Sequence, residues 1–489
     1  MTYLLEKKNG IKTSCPRKRD VNKTKSESSK VIPSLLLIVV LCTSQHPGNA
    51  QDKTVVDANG TAPPASSPAP AGLLPIPDYS ADFWTRSFLT GDWGCMRTDL
   101  ANKGIQIGIE WNQFVQGIAS GGRDQTTEYD ATWDYTINLD LMRMGILPGA
   151  LIKFRAESRY GDSVNGIAGP ILPVNTRGFF PLTSKLDADV GITITDLNYT
   201  QFLSPHFAVF FGKLDTLDGD PNEFASGRGV TQFMNGNFIF NPALALRLPY
   251  STLGAGVIVM PIPPGPKGGI TISSTAVNTN DSSTKTGFED FDKGTSWTTE
   301  ADFTYQLGDL PGGINVGGLY SFNQDFAHLN SRLIFQPGEG LSIPKLDSTW
   351  AVYGSGWQYL FVDDPGGKPP ARLDGQPKHR GIGLFARFGV ADQETNPVEW
   401  AVSGGVGGRG LIPTRDNDSF GIGYYYNRIQ TLRISNILGI RDSSQGVEFF
   451  YNLAVTPAAR LTFDVQVVQS ASTRVETATI LGARGTLDF

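Results

Sequence analysis

Short segments in which apolar and polar residues alternate recur along most of this chain. In the stretch Ile105–Trp111, isoleucine or tryptophan occupies every second position, and glutamine, glycine or glutamate occupies the positions between them. Segments at 133–141, 297–307, 382–390, 420–426 and 481–489 alternate in a similar way. Because successive side chains of a β-strand point to opposite faces, this period of two predicts strands with one apolar and one polar face.

About 16 to 18 such segments follow one another between Ile105 and Phe489, separated by Gly-, Pro-, Asn- and Asp-rich turns. Sixteen strands of about 10 residues, with their turns and longer loops, would fill this length. One helix is predicted before them, over 92–103, where Asp92 can cap the start and Gly104 can end it in the left-handed conformation. Long loops are expected at 161–189, 263–296, 324–347 and 362–380.

Alternation alone fits two architectures, a soluble β-sandwich and a transmembrane barrel with a polar lumen. Aromatic residues lie near the ends of several segments, as in the aromatic belts of membrane proteins: Trp133, Tyr135, Trp297, Trp350, Trp357, Tyr359, Tyr424 and Tyr426. No apolar run after residue 50 is long enough for a spanning helix, so strands are the remaining way to cross a membrane. The sequence therefore predicts an all-β protein, a transmembrane antiparallel β-barrel of about 16 strands with a short N-terminal helix.

The N-terminal region has the composition of a secretory leader. A basic segment precedes the apolar run Val31–Cys42, which is too short to span a bilayer, and Ala50 ends a stretch of small residues. We therefore predict a signal peptide over 1–50 and a Pro-rich disordered leader over 51–82. The barrel, including the helix, is predicted to occupy 83–489.

Charge and residue usage exclude several functions. Residues 1–50 hold nine of the 41 Lys and Arg and three of the 47 Asp and Glu, so the rest of the chain carries a formal charge of about −12. This acidity argues against nucleic acid as a partner. The remaining histidines, His206, His328 and His379, have no metal-ligand spacing, and no nucleophile motif is present. We expect no metal, no cofactor and no enzymatic activity.

One segment carries an unusual row of charges. Lys153, Arg155, Glu157 and Arg159 share one face of the strand, and mostly apolar residues share the other. An Arg or Lys facing lipid would cost about 2–4 kcal/mol at the bilayer midplane, so this face should line a water-filled lumen. The planar guanidinium suits vicinal hydroxyls as well as carboxylates. Two roles stay open: contact with solute at a constriction, or an internal ion-pair lattice that braces the wall.

Other charged residues are weaker candidates for the lumen wall. They lie on the polar faces of their segments: Asp134, Asp140, Glu300, Asp302, Arg387 and Arg484. Trp93 and Arg97 in the predicted helix could shape the pore mouth, or the helix could simply cap the bottom of the barrel.

Four segments together resemble the carbohydrate-selective porin (OprB) family. They read LTGDWGCMRTDLANKGI (89–105), GKLDTLDGDPNEF (212–224), GLFARFGVAD (383–392) and GGRGLIPTRDNDSFGIGYYY (407–426). Cys95 stands where the family more usually has glycine, and Thr414 and Asn417 lie in a segment usually richer in Gly and Asp. The resemblance implies a barrel of about 16 strands through which sugars diffuse across the outer membrane of a Gram-negative-type bacterium.

The resemblance also implies partners. These are small sugars in transit. The predicted barrel adds outer-membrane lipid as a partner. Phe489, at the end of an alternating strand, resembles the sorting signal of bacterial outer-membrane proteins, which implies the barrel-assembly machinery as a partner. The sequence leaves a homo-oligomer open. We expect passive diffusion of glucose-like monosaccharides or small oligosaccharides. The alternatives are a general non-selective porin, a soluble carbohydrate-binding β-sandwich and a barrel enzyme acting on lipid or polysaccharide, which the scarcity of histidine opposes.

Overall fold

The computed structural model describes residues 72–183, 189–218, 221–288, 293–332, 334–336, 340–364, 378–430 and 439–489. The predicted signal peptide and most of the predicted leader, residues 1–71, lie outside the described residues. Within the described part of the chain, sixteen strands form one closed antiparallel barrel. The predicted fold class is confirmed.

Each barrel strand pairs with its neighbours along the chain, and the first strand pairs with the last to close the wall. The barrel strands are β1 (Ile105–Gly122), β2 (Thr127–Asp140), β3 (Ala150–Gly161), β4 (Val190–Ser204), β5 (Phe207–Asp215), β6 (Ser251–Gly265), β7 (Gly268–Asn278), β8 (Thr295–Leu307), β9 (Leu310–Ala327), β12 (Lys345–Val362), β13 (Gly381–Ala391), β14 (Val398–Arg409), β15 (Ser419–Ile429), β16 (Ser443–Thr456), β17 (Ala459–Val468) and β18 (Glu476–Asp488). A separate hairpin of β10 (Ile334–Gln336) and β11 (Gly340–Ser342) lies between β9 and β12. The helices are α1 (Met96–Asn102), α2 (Asn165–Ala168) and α3 (Pro242–Ala245), and single 3-10 turns occur at Arg177–Phe179, Gly227–Gly229 and Gly236–Phe238.

The N-terminal helix starts later than its sequence pattern suggests. Trp93, Gly94 and Cys95 all have positive φ, so α1 begins at Met96 instead of Asp92. Asp92 still serves the helix start, because its Oδ1 accepts a hydrogen bond from the backbone N–H of Thr98 at 2.7 Å. Gly104 follows the helix with a φ of 89°, as the sequence predicts.

The outer face of the barrel is apolar and uncovered. Large exposed side chains repeat at every second position, among them Val115, Leu384, Phe388, Ile422, Phe449, Phe463, Val465 and Leu481. A continuous apolar surface of this size suits hydrocarbon and not water. In β1, Trp111 belongs to this outer face, whereas Asn112 is fully buried on the inside. The described residues include no helix with the length and apolar character needed to cross a bilayer.

The predicted aromatic belt on the outer face is confirmed for some residues and is wrong for two. Trp297, Trp350 and Tyr424 are exposed on the outer face. Trp357 and Tyr359 instead point inward, where both rings contact Phe224. The sequence pattern predicted them on the outer face because alternation does not reveal that loops pack inside the lumen.

The two ends of the barrel differ in the length of their connections. At one end, which we call the short-turn end, lie the start of β1, the end of β18 and tight turns such as 205–206, 266–267 and 308–309. The opposite, long-loop end holds the connections 162–189 and 216–250. The first was predicted as a long loop; the second was not.

The described parts of both connections fold back into the barrel. We call residues 216–218 and 221–250 the central loop and residues 162–183 the side loop. Glu448 on β16 accepts hydrogen bonds from the backbone N–H groups of Met234 and Asn235 in the central loop, at 2.5 and 2.9 Å. Asn175 in the side loop donates to Asp130 on β2. Wall side chains thus satisfy backbone and side-chain donors of the loops that would otherwise be buried without partners.

Aromatic side chains of the central loop pack against glycines in the wall. Phe224, Phe233 and Phe238 form one buried cluster with Tyr359, Phe385, Tyr425 and Phe450 from the strands. A Cβ atom added at Gly423 would lie 2.6 Å from Cε1 of Phe238, and one added at Gly407 would lie 2.6 Å from Cβ of Phe224. Glycine is therefore needed at these inward positions because the aromatic rings occupy the space of a side chain.

The lumen is filled on one side only. The inward residues of β15, β16 and β17 are almost all buried beneath the central loop. Most inward residues of β6, β7 and β8 keep partial exposure to solvent. The solvent-exposed part of the lumen therefore runs along β6–β8.

Candidate functional site

Eight side chains form a charge network where the two inserted loops meet β2–β5: Asp134, Arg155, Glu157, Arg177, Asp215, Asp218, Arg228 and Tyr250. Arg155 donates to Asp215 Oδ2 at 2.9 Å and to Asp218 Oδ2 at 2.8 Å. Strands β3 and β5 are held together in this way at the point where the central loop leaves the wall.

Glu157 is the centre of the charge network. Its Oε1 accepts from Arg177 at 2.7 Å and from Arg228 at 2.9 Å, and its Oε2 accepts from the hydroxyl of Tyr250 at 2.5 Å. Arg177 also pairs with Asp134, which adds a further contact between the side loop and the wall. One wall carboxylate therefore binds both inserted loops.

Burial decides how the charge network can act. Glu157 and Arg177 are completely buried, and such charges are tolerable only when they are fully paired. The side chains of Arg228 and Arg155 retain 14% and 11% exposure. The interior of the network therefore has the geometry of a brace, and only its edge meets water.

The other charged residues predicted on this strand face have separate roles. Arg159 donates to the carbonyl of Phe179 in the side loop at 2.7 Å and is buried. Lys153 is partly exposed. The sequence pattern thus identified three members of the network, Asp134, Arg155 and Glu157. It missed the other five, which are Arg177, Asp215, Asp218, Arg228 and Tyr250. The available signal was indirect: a row of inward charges on one strand requires counter-charges from elsewhere.

Arg387 and Arg484, both predicted on the lumen wall, bind the backbone of the central loop. Arg387 donates to the carbonyl of Phe238 at 2.5 Å and also to that of Ala225. Arg484 donates to the carbonyls of Gly229 and Gln232. Both side chains are buried, which places them between the wall and the loop.

Three further predicted residues lie at the short-turn end. Asp140 accepts from the backbone N–H groups of Leu73 and Leu74, so residues 72–82 of the predicted leader pack against the barrel. Trp93 is exposed on the approach to α1.

Arg97, also predicted at the pore mouth, is buried at this end. It donates to the carbonyls of Ile107 and Phe489 at 2.7 and 2.8 Å, and its guanidinium lies 4.0 Å from the ring centre of Phe88 and 4.6 Å from that of Tyr79. Burial lowers the pKa of Arg97, and the neighbouring Tyr79 partly offsets this. The geometry makes Arg97 a clasp between the helix and the closing strands β1 and β18.

A second group of polar residues faces the exposed part of the lumen. Three cross-strand pairs of β7 and β8 stack along the barrel axis, and we call them the polar ladder: Thr275–Thr298, Ser273–Glu300 and Thr271–Asp302. All six residues are partly exposed. Successive pairs are about 6.6–6.8 Å apart along the strands, because each strand residue adds about 3.3–3.4 Å.

The carboxylates of the polar ladder are oriented by neighbouring strands. The hydroxyl of Tyr353 donates to Glu300 Oε2 at 3.0 Å, and Asn315 Nδ2 donates to Asp302 Oδ1 at 2.7 Å. The ladder therefore presents hydroxyl groups and fixed carboxylates to the lumen. Among the described residues, no group of three or more His, Cys, Asp or Glu is arranged to hold a metal ion.

Comparisons with known proteins agree on fold and family. The family model described as "Carbohydrate-selective porin, OprB family" matches residues 124–489. The high-pH structure of OprB from Pseudomonas putida matches with a TM-score of 0.68 and 21% sequence identity, over 84% of this chain and 100% of that chain. The low-pH structure of the same protein matches with a TM-score of 0.52 and 17% identity, over 83% and 99%. A search of curated proteins finds no match.

Proposed function

This chain belongs to the carbohydrate-selective porin (OprB) family, and on that premise we propose that neutral sugars pass through it by diffusion along the polar ladder. It is an outer-membrane porin for carbohydrates. The finer proposal concerns the solutes, which are glucose-like monosaccharides or small oligosaccharides, and the residues that they meet.

The observation that carries this proposal is the exposure of the ladder. Hydroxyl groups donate and accept hydrogen bonds, and carboxylates accept them, so the ladder can exchange partners with the many hydroxyls of a sugar. Each contact is replaced by the next one about 7 Å further along. A passage of this kind binds solute strongly enough to admit it and weakly enough to release it.

The charge network has a supporting role in this proposal. Its buried interior fixes both inserted loops, and thereby the width that remains beside the ladder. The partly exposed edges of Arg155 and Arg228, together with Lys153, offer cationic donors to passing hydroxyls. The proposal thus uses both roles that the sequence left open: the buried members of the network brace the wall, and Arg155, Arg228 and Lys153 contact solute.

The first test is liposome swelling with glucose, a disaccharide and an uncharged amino acid of similar size to glucose. We expect glucose to enter faster than its size predicts. Permeation ordered by size alone would favour the general non-selective porin. No permeation through correctly inserted protein would refute the channel.

The ladder itself is tested by a triple variant, Thr271→Val, Ser273→Ala and Thr275→Val. The matched control is Thr299→Val, which removes an exposed hydroxyl from the outer face of β8. Because a hydrogen bond contributes about 0.5–1.5 kcal/mol, we expect the ratio of glucose to amino-acid entry to fall at least twofold in the triple variant. An unchanged ratio, or an equal fall in the control, would contradict the proposal that sugars pass along the ladder.

We also propose that Phe489 is read by the barrel-assembly machinery. Its backbone N–H donates to the carbonyl of Ile109 at 2.8 Å, and its ring stacks near Trp133 with 6.2 Å between ring centres. We expect Phe489→Ala to reduce the amount of protein in the outer membrane while leaving refolding in detergent unchanged. Equal losses in both would point to a stability role alone.

A further inference from the structure

A cavity of about 290 Å³ lies inside the short-turn end of the barrel, beneath the central loop. Its wall is formed by β1, β12 and β14–β18, its roof by the central loop around Thr231 and Gln232, and one side by Ser87 and Phe88 before α1. Short turns of outer-membrane barrels face the periplasm, so this cavity lies at the exit of the channel. It is separate from the charge network and from the polar ladder, since none of their residues lines it.

Asn452 and Arg460, which both line this cavity, each have a buried polar atom without a hydrogen-bond partner in the protein. Asn452 is 2% exposed, and its Oδ1 accepts no hydrogen bond. Its Nδ2 is used, because it donates to the carbonyl of Thr231 at 2.9 Å. The Nε of Arg460 is likewise buried without an acceptor, although Nη2 of the same side chain pairs with Asp488 Oδ2 at 2.8 Å. One unsatisfied acceptor and one unsatisfied donor thus belong to side chains that line the same space, and such groups normally find a partner.

The charges around the cavity point to a neutral ligand. Three cationic and three anionic residues line it: Lys378, Arg409 and Arg460, and Glu110, Glu223 and Asp488. The formal charges cancel, so the cavity has no net charge that would select an anion or a cation. Phe88, Phe420 and Phe450 add apolar surface between the polar groups. A ligand with several hydroxyls and an apolar ring face matches this lining.

We propose that this cavity is a second carbohydrate subsite, at the periplasmic exit, in which the side chains of Asn452 and Arg460 bind sugar hydroxyls. The inference rests on the proposed function, since the sugar reaches the subsite through the lumen or from the periplasm. A sugar held there leaves the polar ladder free for the next one, because no ladder residue lines the cavity. Because sugar from the periplasmic side reaches this subsite first, we expect the apparent affinity of current block to depend on the side to which sugar is added.

The test measures block of ion current by glucose and by a disaccharide in planar bilayers, with sugar added to each side in turn. The wild-type protein should show tighter apparent binding for sugar added on the periplasmic side. In Asn452→Ala, we expect the dissociation constant from that side to rise about threefold to tenfold, which is the effect of one hydrogen bond.

Asn427→Ala is the matched control. Asn427 is also buried on the inner wall, its Nδ2 also donates to the central loop, at 2.8 Å to Asn237, and its Oδ1 also lacks a partner, but it does not line the cavity. A weaker block in Asn452→Ala alone would support the subsite. An unchanged block in Asn452→Ala, an equal change in both variants, or no block of the wild type from the periplasmic side would overturn it. If glucose still enters liposomes preferentially in any of those cases, the proposed function stands without the subsite.

Discussion

Replacing Gly423 by alanine tests how firmly the central loop is seated. Gly423 faces inward on β15, and the new Cβ would lie 2.6 Å from Cε1 and 3.0 Å from Cδ1 of Phe238. Carbon atoms pack best at about 3.5–4.0 Å, so the overlap is about 1 Å. Phe238 cannot easily retreat, because it is fully buried, its ring centre lies 4.6 Å from that of Phe233, and its carbonyl accepts from Arg387.

We expect Gly423→Ala to destabilise the packing of the central loop and not the strand pairing of the barrel. The strand pairs of Gly423 with Gly405 and Glu448 use backbone groups, which a methyl group leaves intact. Overpacking of this size typically costs about 1–3 kcal/mol. If the loop bears all of this cost, its opening equilibrium rises by a factor of about 5 to 150.

Hydrogen exchange of the backbone amides at 230–240, in folded protein in detergent, measures that opening directly. We expect exchange there to accelerate by about the same factor, with no change in the strands. Gly318→Ala is the control, because Gly318 faces outward on β9 and its nearest neighbour would be the carbonyl oxygen of Ala351 at 3.7 Å. Adding Phe238→Leu should partly reverse the effect of Gly423→Ala. Loop exchange as slow as in the wild type, or equally fast in Gly318→Ala, would refute the reasoning.

Three further predictions concern the charge network, the clasp and the outer face. Glu157→Gln leaves Arg177 and Arg228 without their shared carboxylate, and breaking a buried pair in this way costs about 3–5 kcal/mol. The preference for glucose in liposome swelling should therefore fall. An unchanged preference would show that the network does not set the width of the lumen. Arg97→Ala removes two hydrogen bonds from a charged donor, each contributing about 1.5–3 kcal/mol. It should therefore lower the temperature at which the barrel unfolds in SDS gels. An unchanged unfolding temperature would mean that Arg97 adds nothing to the stability of the barrel. Val465→Arg puts a charge on the outer face at a cost of about 2–4 kcal/mol near the midplane and should reduce folding into lipid vesicles but not into detergent; equal yields would argue against a lipid-facing position.

The barrel could be predicted from the sequence because its signal is local. A period of two fixes which residues face the lumen, and Trp111 and Asn112 lie on the sides that the pattern indicates. The same rule fails at Phe114 and Ile118, which are apolar yet point inward. Ile118 packs against Val164 and Val174 of the side loop. Its position depends on a contact far away in the chain, which alternation does not encode.

The central loop could not be predicted for the same reason. Phe224, Phe233 and Phe238 follow no helical or strand period, and their partners are distant strands. A partial signal was present in β14 and β15, where inward positions such as Gly405 and Gly421 carry glycine. Inward glycines in a barrel strand make room for something, but the sequence does not say what occupies it.

The one-sided filling of the lumen has a consequence for how this protein can change over evolutionary time. Strands β15–β17 are constrained on both faces, by lipid outside and by the central loop inside, so almost any substitution there disturbs a packed contact. Strands β6–β8 are constrained mainly on their outer face, because their inward side chains meet water. Substitutions should therefore accumulate unevenly around the circumference, and the tolerant sector is the same one that touches solute. New solute preferences can arise there without first rebuilding the fold.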